Sequence, residues 1–82
     1  MRFFTPEEAR KLAQTYGVDP FLYDMDEFRK GLIEEYDEHS DVIANDGELV
    51  KIVLAHLGKI PDYYTRLAKM EEEAKRPTLE WQ

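Results

Sequence analysis

Four stretches of the chain place apolar residues at the spacing of a helix face, and none shows the alternation that marks a half-buried strand. The most apolar runs from Asn45 to Leu67. There Asn45 is a good N-cap, and Glu48 three residues on completes a capping-box pattern. Leu49, Val50, Ile52, Val53, Leu54 and Leu57 follow and cover more than half of a helix circumference. A helix apolar nearly all round is normally surrounded by partners. This one, residues 46–57, is therefore expected at the centre of the fold. Gly58 suits a left-handed position past its end, and Pro61 suits the first turn of a further helix carrying Tyr63, Tyr64, Leu67 and Met70.

Two earlier helices are marked as clearly. Thr5-Pro6-Glu7-Glu8 gives a cap, a first-turn proline and a glutamate at the third position, and Ala9, Leu12, Ala13 and Tyr16 follow before Gly17. Asp24 and Glu27 form a second capping pair, and Met25, Phe28, Leu32 and Tyr36 the next apolar stripe. Gly31 beside that stripe suggests a neighbouring backbone passing close. Phe3 and Phe4 before the first helix, and Phe21, Leu22, Tyr23, Val42 and Ile43 between helices, are expected to pack down. The pattern predicts an all-α compact single domain of about four helices over residues 1–75, with a short C-terminal tail over 76–82.

Length and composition narrow the possibilities. Eighty-two residues hold one core, and the absence of cysteine removes both a disulfide framework and a thiolate zinc site. Stability must come from packing, with self-association into a homo-oligomer or a bound ion as the available additions. No apolar run approaches a membrane span or a secretory signal, so a soluble, cytoplasmic protein is expected. The net charge of −7 is concentrated in residues 24–48, with ten acidic side chains against Arg29 and Lys30. Phosphate binding needs clustered Lys and Arg, so nucleic acid is not an expected partner. Apart from its value for solubility, an acidic face of Glu34, Asp37, Glu38 and Asp41 would suit a basic protein partner.

The candidate chemistry lies on the second helix. With Phe28 at zero, Glu35 falls at about −20° and His39 at about +20°, both within the apolar stripe. His56 lies mid-face on the third helix, between Leu49 and Val53 in projection. Three ionisable side chains thus point inward from two helices, and each requires a partner there. They can form a structural polar cluster with no cofactor, or hold Zn or another divalent metal ion. Ser40 and Thr65 have no evident base and orienting partner, and no phosphate loop, nucleophile elbow or H-E-x-x-H pair occurs. Tyr63 and Tyr64 offer aromatic surface, although their spacing with Leu67 and Met70 places at least one in the core. Trp81 on the tail either docks on the domain or meets a partner.

Three ordered segments carry a resemblance: Glu38-His39-Ser40-Asp41, then Lys51-Ile52 through Ala55-His56-Leu57, then Pro61-Asp62-Tyr63-Tyr64-Thr65-Arg66-Leu67 with Met70-Glu71. Together they resemble an uncharacterised family of short bacterial, phage and mobile-element proteins, over roughly Phe28 to Ala74. At Ile60 the family more often has an acidic residue able to cap the last helix. The resemblance implies that His39, His56, Asp62 and Tyr64 are motif positions, and it carries no settled activity. Two expectations follow: a non-catalytic protein-interaction module with an acidic face, or a metal-binding helical protein using Glu35, His39 and His56.

Overall fold

The computed structural model describes residues 3–75; Trp81 and the rest of the tail lie outside the described residues. The described residues form four helices, α1 (Pro6–Thr15), α2 (Met25–His39), α3 (Asp46–Lys59) and α4 (Tyr63–Lys75), and no strand.

The starts of the first three helices follow their capping residues. Thr5 and Glu8 form a reciprocal capping box. Asp24 Oδ1 accepts from the backbone N–H groups of Asp26 and Glu27. Asn45 Oδ1 accepts from the Glu48 N–H, while the Glu48 carboxylate reaches back one residue further, to the Ala44 N–H. Gly17 ends α1 with a φ of 70°. Gly58, in contrast, is helical, and α3 runs on through Lys59. The following proline sets the stop: Pro61 excludes Ile60 from the helical region, and Ile60 is extended. Pro61 itself lies in the turn before α4 instead of in the first turn of that helix.

The expected centre also moves. α2 packs against each of the other three helices, whereas the most extensive packing of α3 is on α2 alone. Phe28 and Leu32 of α2 are fully enclosed, together with Phe4, Leu49 and Val53. The remaining apolar side of α3, Ile52 and Leu54, is only half-buried. Gly31 is small for the sake of side chains, not of a passing backbone. A Cβ there would lie 2.5 Å from Tyr64 Cε2 and 2.6 Å from Val53 Cγ1.

Four residues outside the helices do not pack as expected. Phe4 is buried, but Phe3 is exposed; Tyr23 and Ile43 are half-buried, but Phe21, Leu22 and Val42 face solvent. No helix among the described residues is long and apolar enough to cross a membrane.

Candidate functional site

Glu35 and His39 lie one turn apart on α2, and His56 faces them from α3, so the helical spacing brings the three together as expected. Glu35 is the hub, with only 5% of its surface exposed. Its Oε2 accepts a 2.7 Å hydrogen bond from the Tyr64 hydroxyl and lies 3.1 Å from His56 Nδ1. Its Oε1 lies 3.5 Å from His39 Nε2. Tyr64 belongs to α4, so a single carboxylate ties three helices together. No buried side-chain polar atom among the described residues is left without a partner, as close packing around a charge requires.

The order of protons in this cluster follows from its donors. Burial first, and then the hydrogen bond to Glu35, push the Tyr64 hydroxyl well above the usual phenol range. Tyr64 therefore stays protonated and gives its one proton to Glu35. Its oxygen, 3.1 Å from His56 Nδ1, can only accept, and so can the carboxylate. Nδ1 must carry the proton, and in the neutral ring Nε2 carries the lone pair. Tyr63 holds the ring by stacking, with centroids 4.5 Å apart and planes 10° from parallel.

Only Glu35 turns fully inward: His39, at the last turn of α2, is exposed and His56 half-buried, and both line a cleft of about 440 Å³ between the end of α2, the following loop and α3. Val42, Ile43 and Ile52 form its apolar walls; Glu48 and Lys51 complete it. Among the described residues no three His, Asp or Glu side chains converge with the geometry of a metal site. Glu35, His39 and His56 form a fan around one carboxylate whose oxygens face protein donors.

The other candidate positions divide by exposure. Asp37, Glu38 and Asp41 are exposed, and Glu34 and Tyr63 are half-buried. Tyr64 is buried, so its contribution lies inside the cluster. Glu34 is pushed above the usual carboxylate range by burial, then by the charges of Glu71, Glu38, Glu35 and Asp37.

Two features escape a reading of the sequence alone. Glu27, expected to cap its own helix, instead reaches α4, where it accepts from the backbone N–H groups of Tyr64 and Thr65 at 3.1 and 3.2 Å and from the Thr65 hydroxyl. It thus supplies, from another helix, the cap that Ile60 cannot give. The second feature is the turn before α2. Asp19 accepts from Phe21 N–H through Oδ1 at 2.8 Å, and from Leu22 and Tyr23 N–H through its carbonyl at 3.0 and 3.1 Å. With Val18 buried on one side and Tyr23 packed on the other, the turn holds Phe21 at 96% exposure and Leu22 at 76%. The Asp19-Pro20 pair signals such a turn; the direction of the two side chains is not in that signal.

A family model described as "Protein of unknown function (DUF5661)" matches residues 9–73. The chain belongs to that family. Its match takes in most of α1, all of α2 and α3 and most of α4, and so includes both the Glu35 cluster and the Phe21–Leu22 turn. No curated protein and no solved structure matches the chain.

Proposed function

We propose that this protein is a small, non-catalytic protein-interaction module that docks through the Phe21–Leu22 turn. The observation that carries this reading is the turn itself: an aromatic side chain 96% exposed on a backbone fixed by three hydrogen bonds. Large apolar residues held open to water in this way are preorganised anchors, and interface hot spots are enriched in aromatics of this kind. The fitting partner has an apolar pocket with a basic rim, because Asp19, Asp24 and Asp26 flank the turn. Asp37, Glu38 and Asp41, towards the other end of α2, add a negative field that speeds encounter with such a partner. In the bacterial, phage or mobile-element setting that the motif resemblance implies, the partner is a cytoplasmic host protein.

The test pairs wild type with Phe21→Ser/Leu22→Ser in affinity capture, followed by binding measurements on the purified partner. Two solvent-facing substitutions leave the fold within about 0.5 kcal/mol of wild type. Loss of a hot-spot anchor weakens binding by about 2 kcal/mol or more, roughly thirtyfold. Raised salt slows association in both proteins. Equal affinity of wild type and variant for the same partner refutes the reading. A concentration-dependent dimer lost in the variant would identify a second copy of the chain as the partner instead.

A further inference from the structure

The cleft beside His56 has a chemistry that protein docking at Phe21 does not use. His56 Nδ1 is committed as a donor to Glu35 and Tyr64, so in the neutral ring Nε2 carries the lone pair. Among the described residues Nε2 has no hydrogen-bond partner. A buried carboxylate on one ring nitrogen fixes the ring's orientation and tautomer. The ring cannot swing away, because Tyr63 stacks on it.

The cleft, of about 440 Å³, falls within the usual size of small-molecule sites. Val42, Ile43 and Ile52 offer an apolar wall, and Lys51 an ammonium group in the same cleft. The complement to these features is an apolar body of the size of one aromatic ring, bearing a donor whose oxygen tolerates negative charge. A carboxylic acid is ionised at neutral pH and brings no proton to Nε2. A phenol keeps its proton, donates it in a hydrogen bond, and presents its oxygen to the lysine.

We propose that the cleft between α2 and α3 is a binding site for a small apolar ligand with a phenol-type hydroxyl, which donates to Nε2 of His56. Glu35 is the positioning residue that keeps this nitrogen an acceptor. Protonation of His56 removes the acceptor. The charged and titratable groups around the ring are Glu35 and His39 of α2, Glu48 and Lys51 of α3, and Tyr63 and Tyr64 of α4.

The test uses fluorine NMR on the full chain with two probes, para-fluorophenol and para-fluoroanisole, which share a ring but differ in the hydroxyl. The phenol should bind saturably, roughly threefold to tenfold more tightly than the anisole, the value of one hydrogen bond. That preference should fade as pH is lowered, in step with protonation of His56 followed by proton NMR in the same samples. His56→Phe, which keeps a ring but has no acceptor, should abolish the preference; if that variant does not fold, the two-probe comparison and pH series on wild type still decide. Equal binding of the two probes, no binding of the phenol, or a preference indifferent to His56 protonation would each overturn the proposal.

Discussion

Replacing Tyr64 by Phe removes one oxygen from the interior and leaves the ring in place. The residue is 3% exposed, and its hydroxyl gives Glu35 a 2.7 Å hydrogen bond while accepting from His56. A hydrogen bond to a charged group contributes about 1.5–3 kcal/mol, and the lost donor leaves a buried carboxylate with weaker support. The expected loss in stability is therefore about 1.5–3 kcal/mol. Urea unfolding followed by circular dichroism measures it as a lowered midpoint at unchanged slope. Tyr63→Phe is the control, since the Tyr63 hydroxyl makes no hydrogen bond among the described residues and its ring stacking survives. That variant should stay within about 0.5 kcal/mol of wild type. If Tyr64→Phe is as harmless as Tyr63→Phe, the Glu35 cluster does not hold the three helices together.

Glu27→Ala removes the cap of α4 from outside that helix. It should cost about 2–3 kcal/mol, with faster hydrogen exchange at the Tyr64 and Thr65 amides, and unchanged exchange there would contradict the assignment. Glu34→Gln should stabilise the protein at neutral pH. Because the folded carboxyl titrates above its unfolded value, the folded state holds more protons, and stability falls as pH rises from about 4.3 through the raised value. The gain, below about 1 kcal/mol for a partly solvated and screened group, should vanish at pH below about 4. Zinc added to chelator-treated protein should leave its thermal unfolding unchanged. A stabilisation of about 2.7 kcal/mol at a hundred times the dissociation constant, abolished by His39→Ala or His56→Ala, would establish the metal reading instead.

Much of this architecture is legible in the sequence because it is local. Thr5, Asp24 and Asn45 announce helix starts through bonds made within one turn, and the period of Phe28, Leu32, Glu35 and His39 defines one face of α2. That face is enough to predict that Glu35 turns inward with His39 one turn away, and the mid-face position of His56 makes it their natural neighbour; His39, at the last turn of α2, stays exposed. What is hidden depends on how helices lie against one another. The closing of the cluster by Tyr64 and the capping of α4 by Glu27 both require the relative placement of α2 and α4, across 29 and 37 residues of chain. The apolar richness of α3 pointed to the wrong centre because an apolar helix can leave one side over an open cleft, as Ile52 does here. Hydrophobicity alone places Phe21 and Leu22 inside, but a tight turn pinned at Val18 and Tyr23 turns them outward.

The most direct test of the cluster is the protonation state of His56, read by nitrogen NMR of the imidazole rings at a pH where the ring is neutral. A buried carboxylate and a proton-donating Tyr64 both require Nδ1 to carry the hydrogen. His56 should show a pyrrole-type Nδ1 and a pyridine-type Nε2, with the pattern lost in Glu35→Gln/Tyr64→Phe. A neutral His56 with its proton on Nε2 would show that Glu35 does not hold this ring, and would contradict both the cluster and the ligand site built on it.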